Sequence, residues 1–187
     1  MRTSDIILSL LVIAIIVVIP HMRILPNFGY AIPILLVVWL ALKRFGEGFS
    51  HLKFQWKGLT GHSILIGILA GILLFSFLQL AFWPFLDIFF KFEESEASIY
   101  SFLKQNPWTF AFILAMGWLI GGVYEEIVFH GFMFTRFEKM LPGKNATLFA
   151  FLLTNIIFGA YHIQLGTPGA INAFLAGIAY NGIALHF

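Results

Sequence analysis

Six apolar runs, separated by short polar connections, set the pattern of the chain. They fall at about Ile6–Ile19, Phe28–Leu42, His62–Phe82, Trp108–Phe134, Ala146–Tyr161 and Ala170–Leu185. A helix needs roughly 20 residues to cross a bilayer, within a range near 17–25. The runs therefore predict an all-α, polytopic membrane bundle of about six transmembrane helices, a single integral membrane domain over 1–187. The first two runs are short and must lean on flanking residues. The fourth is long and is expected to tilt, or to break near Gly131. No ten-residue alternation of apolar and polar positions repeats, which argues against a membrane β-barrel.

Composition sharpens this picture. The chain is 60% hydrophobic and only 11% charged, with a mean hydropathy of +0.92. A soluble domain carries about a quarter charged residues, so the bilayer is the main solvent and the principal partner. Cysteine is absent, which excludes a disulfide framework, a thiolate nucleophile and a Cys-based metal site. A net charge of +2 gives no reason to expect nucleic acid. Met1–Pro20 reads as a retained first helix, because no small-x-small cleavage site follows it.

The connections differ in charge. Segment 43–61 holds Lys43, Arg44, Lys53 and Lys57, and segment 135–145 holds Arg136, Lys139 and Lys144. With Arg2 these place eight basic residues on one side, against Arg23, Lys91 and Lys104 on the other. The positive-inside rule then predicts cytoplasmic termini, in the plasma membrane of a bacterium. Trp83 and Trp108, at run ends, fit an interfacial belt. Glu93, Glu94 and Glu96 read as a solvated face of the outer connection, and Ser95–Gln105 as a short interfacial helix. Gly67 and Gly71, and Gly117 and Gly121, form small-xxx-small pairs. Gly117, Gly121 and Glu125 share a helical face, expected to face protein.

Chemistry concentrates in the fourth and fifth runs. Glu125 and Glu126 stand within apolar sequence, and Ile127, Val128, Phe129, Phe132, Met133 and Phe134 follow, so an early exit from the membrane is disfavoured. Carboxylates at membrane depth face a bundle interior or a watery cavity. His130 is four residues beyond Glu126, within hydrogen-bond reach on one face. That pair is either an intrahelical neutralising contact or an oriented metal ligand or proton carrier. His162 closes the fifth run, after Phe158. Asn155, on roughly the same face, is either its supporting hydrogen-bond partner or an interhelical contact. His21, His51 and His62 lie in or beside connections and read as interfacial. Two glutamates and two histidines from successive helices are the parts of a hydrolytic site. Either a metal held by His and Glu activates water, or a carboxylate does so alone.

The order Glu125-Glu126-Ile127-Val128-Phe129-His130 followed by Phe158 to His162 resembles the CAAX-protease and bacteriocin-processing family of intramembrane proteases. That family carries E-E-x-x-x-R and then F-x-x-x-H on the next core helix. Phe174-Leu175-Ala176-Gly177 resembles the start of the following family helix, so the likeness covers roughly 108–187. It implies that Glu125 activates water, that His162 binds a divalent metal such as zinc or stabilises the oxyanion, and that Glu126 supports the site. Metal ligands would then be His162 and Glu125, with His130, Asn155 and Phe158 supporting; a metal-free route is equally compatible with these residues. His130 replaces the family's Arg, which makes the partner of Glu126 weaker and pH-dependent. The family's third motif, a His followed four residues later by Asn or Asp, is not reached by Phe187; Asn181 precedes His186 in the wrong order. Either a shortened member or one that supplies the missing group by an unusual route is therefore expected. The leading expectation is an endopeptidase hydrolysing peptide bonds in or near the bilayer. Its rivals are an inactive relative acting in binding or bacteriocin self-immunity, and a small proton or cation transporter subunit.

Overall fold

The computed structural model describes residues 2–22, 24, 28–52, 60–90 and 106–186. Arg23, Lys53, Lys57, Lys91, Lys104, the acidic Glu93, Glu94 and Glu96, and the expected interfacial helix at Ser95–Gln105 lie outside the described residues.

All the regular elements described are helical. Helix α1 spans Thr3–Val18 and runs into a 3-10 turn at Ile19–Met22; α2 spans Ala31–Arg44. Helix α3, Gly61–Phe77, passes through a π-helical stretch, Leu78–Phe82, into α4, Trp83–Asp87. Helix α5, Pro107–Leu119, is followed by π stretches at Ile120–Tyr124 and Glu126–Met133 and by α6, Phe134–Met140. Helices α7 and α8 are Ala146–Tyr161 and Gly166–His186. The starts obey capping rules. Thr60 and Ser63 form a reciprocal capping box at α3, and the Asn106 side chain accepts from the amides of Trp108 and Thr109, with Pro107 as the first helical residue of α5.

The chain is an integral membrane protein. Among the described residues three continuous helices are long and apolar enough to cross a membrane: Thr3–Met22 with 20 residues, Gly61–Asp87 with 27 and Pro107–Met140 with 34. A fourth crossing exists if Ala146–Tyr161 and Ile163–Ile183, bent by 45°, count as one. Each of the six apolar runs contains a helix, but α2 begins only at Ala31 and has 14 residues, about 21 Å at roughly 1.5 Å per residue. That falls short of a hydrocarbon core of about 30 Å.

The fourth run does not break at Gly131. In hydrocarbon no water replaces a lost backbone hydrogen bond, so the helix stays continuous and widens instead. Gly131 serves close packing: a Cβ there would lie 3.2 Å from the Leu52 Cβ and 3.3 Å from its carbonyl. The helix also continues beyond Phe134, so Arg136 and Lys139 belong to α6 rather than to a connection. Gly117 and Gly121 are exposed, and a Cβ at Gly117 would meet nothing within 4 Å. The expected protein-facing stripe is thus absent at these two positions.

The chain divides into two compact units, each built from two stretches: Met1–Phe54 with Tyr100–Thr154, and Gln55–Ile99 with Asn155–Phe187. In the first, α2 packs on α1 and on both π stretches. Val12, Ile16, Ile34, Val38, Leu42, Val128, Phe129 and Phe132 are buried there. Arg136 is also buried, at 1% exposure. Its Nη2 donates to Glu47 Oε2, and its guanidinium lies 4.7 Å from the Phe45 ring and 5.5 Å from that of Phe132. Lys139 Nζ donates to the other Glu47 oxygen at 2.8 Å. A backbone turn presents Glu47. Gly46 adopts φ +72°, the Gly46 amide donates to the Lys43 carbonyl, and the Glu47 amide donates to that of Leu42 at 2.8 Å, closing α2 in a Schellman motif.

In the second unit, α3 packs on α8. Trp83 Nε1 donates to Asn172 Oδ1 at 3.0 Å, so this tryptophan is a tertiary contact, whereas Trp108 is 83% exposed. Gly159 permits a close approach to α8: a Cβ there would sit 2.8 Å from the Phe174 Cβ and 3.1 Å from the Ala170 carbonyl.

Two stability predictions follow from these contacts. Gly159→Ala should destabilise the detergent-solubilised protein by about 1–3 kcal/mol. Gly117→Ala should be neutral or stabilising by up to about 1 kcal/mol, since only helix propensity changes. Thermal unfolding of both variants checks the contrast. For Glu47, burial pushes the carboxyl up, but the hydrogen bonds and charges of Lys139 and Arg136 outweigh it, and its pKa lies below 4.5. A depressed folded-state pKa stabilises above the unfolded value and loses that contribution as pH falls through the folded one. Acid titration of stability should therefore show a falling component below about pH 4.5. Glu47→Gln should remove that component and destabilise at pH 7 by about 1–3 kcal/mol.

Candidate functional site

Glu125 stands between the two π stretches of the Pro107–Met140 helix and is half-buried. A π turn closes i→i+5 hydrogen bonds and inserts extra backbone into the helical ladder, a feature often found at functional sites. It alters the facing of the side chains that follow and lets two consecutive glutamates be served separately. Glu126 Oε2 is 2.8 Å from His130 Nδ1, with the imidazole side chain 6% and the carboxylate 31% exposed. The predicted i,i+4 pair is therefore formed. It gives Glu126 a defined partner on its own helix.

On Glu125's side the nearest glycine is Gly121, where a Cβ would come within 3.9 Å of Glu125 Oε2. A larger side chain there would crowd the carboxylate. Tyr124, beside it in sequence, is buried and meets the Tyr30 ring edge-on with centroids 5.7 Å apart. This contact anchors the π stretch to the segment leading into α2. Tyr30 and Tyr124 were not singled out from the sequence. An aromatic pair of such wide separation carries no local periodic signal.

In the second unit, His162 occupies the bend between α7 and α8, with φ −92° and ψ 10°. Its Nδ1 lies 2.9 Å from the Phe158 carbonyl oxygen. A carbonyl only accepts, so Nδ1 carries the proton, and the neutral ring then has its lone pair on Nε2. The rings of Phe158 and Tyr161 meet the imidazole edge-on, with centroids at 4.7 and 5.1 Å. The F-x-x-x-H spacing thus supplies both a backbone acceptor and an aromatic wall, and it orients the imidazole. Asn155 is fully buried against α8: a Cβ on Gly177 would fall 2.4 Å from Asn155 Oδ1 and 3.1 Å from Phe158 Cδ1. Gly177 is the small residue that admits Asn155 between the helices.

Glu125, Glu126 and His130 are therefore grouped in one unit, and Asn155, Phe158 and His162 in the other. Within each unit, among the described residues, no three His, Asp or Glu side chains form a metal-holding group.

The geometry of His162 is open to direct test. In protein labelled with nitrogen-15 histidine, the ring resonances lost on His162→Gln should show the Nδ1–H tautomer at neutral pH. An Nε2–H pattern would mean that the Phe158 hydrogen bond does not form.

No curated protein and no solved structure matches the chain. Residues 106–187 match the family model described as type II CAAX prenyl endopeptidase Rce1-like. The match begins at the Asn106 cap of α5 and takes in both the Glu125-Glu126 and the Phe158–His162 motifs. Over this segment the chain is similar to the CAAX-protease and bacteriocin-processing family of membrane-embedded proteases.

Proposed function

We propose that the chain is an intramembrane endopeptidase in which Glu125 is the general base for hydrolysis of a peptide bond in or near the bilayer. The observation that carries this reading is the setting of Glu125, a half-buried carboxylate within a membrane-crossing helix, held in a π-widened segment beside a glutamate that already has its partner. A carboxylate at membrane depth is a functional-site candidate by default. Glu125 directly follows Tyr124, whose ring contact with Tyr30 fixes the turn on which it stands.

In the proposed step, Glu125 removes a proton from water as the oxygen bonds to the scissile carbonyl carbon. The carbonyl π electrons move to oxygen, giving a tetrahedral oxyanion. Collapse of that species expels the amine, which receives the proton held by Glu125. Glu126 and His130 act as positioning residues for the helix turn. His162, with Nδ1 protonated, has the Nε2 lone pair suited to a divalent metal such as zinc. Catalytic zinc takes three protein ligands, and neither unit alone gathers three described donors; no step above is routed through a metal. The basic residues Arg2, Arg44, Arg136 and Lys139, at one end of the first unit, favour a cytoplasmic N-terminus. A bacterial plasma membrane is the proposed location.

The test is cleavage of a quenched fluorogenic peptide with a farnesylated C-terminal CAAX sequence in proteoliposomes. Glu125→Gln should lower the rate by about 10²–10⁴, the usual worth of a positioned general base. An unchanged rate would remove Glu125 from the mechanism.

A further inference from the structure

Four cationic side chains line one cleft in the first unit, away from Glu125. The cleft has a volume of about 280 Å³ and is bordered by Arg2, Arg44, Arg136 and Lys139, with Asp5 and Glu47 as its carboxylates among the described residues. Glu47 is already committed to both Arg136 and Lys139. Among the described residues Arg2 and Arg44 enter no ion pair. Among the described residues the cleft therefore carries an excess of two positive charges.

Its location identifies what would neutralise them. Arg2 is the N-cap of α1 and has no capping side chain, so the positive end of that helix dipole also points to this level. Arg44 closes α2, and Arg136 and Lys139 close the 34-residue span. Three helix ends thus converge where apolar helix gives way to charge, which is the headgroup layer of a bilayer. Below the cleft, Ile7, Leu36 and Leu40 are exposed on α1 and α2 and offer a surface to acyl chains. Trp39, half-exposed beneath Lys43 at 5.7 Å from ring centroid to Nζ, marks the same boundary. The volume is several times the roughly 30 Å³ of a liquid water, room for a phosphodiester rather than a single small ion.

We infer that this cleft binds the headgroup phosphate of an anionic phospholipid, with Arg2 and Arg44 as its principal contacts and Arg136 and Lys139, fixed by Glu47, as its floor. The site is independent of the Glu125 mechanism.

Native mass spectrometry of the detergent-purified full chain tests it, with phosphatidylglycerol and phosphatidylcholine of identical acyl chains as probes. The wild type should prefer phosphatidylglycerol. The exposed double variant Arg2→Gln/Arg44→Gln should lose roughly ten- to thirtyfold of that preference, as expected for two basic residues at an anionic headgroup. Asp5→Asn, which removes a carboxylate from the cleft, should raise the preference and keeps the test decisive if the double variant folds poorly. Equal binding of the two lipids by the wild type, or an undiminished preference in a folded double variant, would overturn the assignment. Millimolar inorganic phosphate that displaces phosphatidylglycerol would also overturn it, in favour of a free-phosphate site.

Discussion

Hydrocarbon offers no partner to a backbone amide, and that absence shapes this molecule more than any single contact. Every stretch that crosses the membrane must keep its hydrogen bonds inside the helix. The 34-residue Pro107–Met140 helix shows the consequence. Where a soluble helix could break at Gly131 and let water satisfy the freed groups, this one changes its internal bonding to π geometry at Ile120–Tyr124 and Glu126–Met133. The chain thereby gains room around two adjacent glutamates without exposing backbone to lipid.

The same scarcity of water governs the charges. Arg136 has 1% exposure, and a guanidinium at that depth is tolerated only with a counter-charge and a soft, polarizable surround. Glu47 supplies the first; the rings of Phe45 and Phe132 supply the second. Removing one member of such a group costs more than the group contributes, because the remaining charge stays buried. The Schellman turn at Gly46 is therefore more than a helix stop. It delivers Glu47 to the end of a helix 89 residues away in sequence and aligns the floor of the cationic cleft.

The two motifs follow a common rule at different sites. Each imidazole is oriented by an acceptor four residues earlier: the Glu126 carboxylate for His130 and the Phe158 carbonyl for His162. Helical spacing makes this possible without tertiary help, and aromatic rings close around the second histidine.

What the residue order determined by itself is local. The apolar runs specified helices, and for Ala146–Tyr161 the run and the helix coincide. The Glu126–His130 contact and the Phe158–His162 spacing were legible because partners four apart on a helix meet whatever the rest of the chain does. The tertiary structure decided everything that depends on distant neighbours. Arg136, read as a topology charge in a connection, became a buried partner of Glu47; Trp83, read as a belt residue, became a donor to Asn172. Small-xxx-small spacing marked Gly117 as a packing residue, yet the close approaches occur at Gly131, Gly159 and Gly177. Spacing records which residues share a face. Only the packed helices determine which face is covered, and by what.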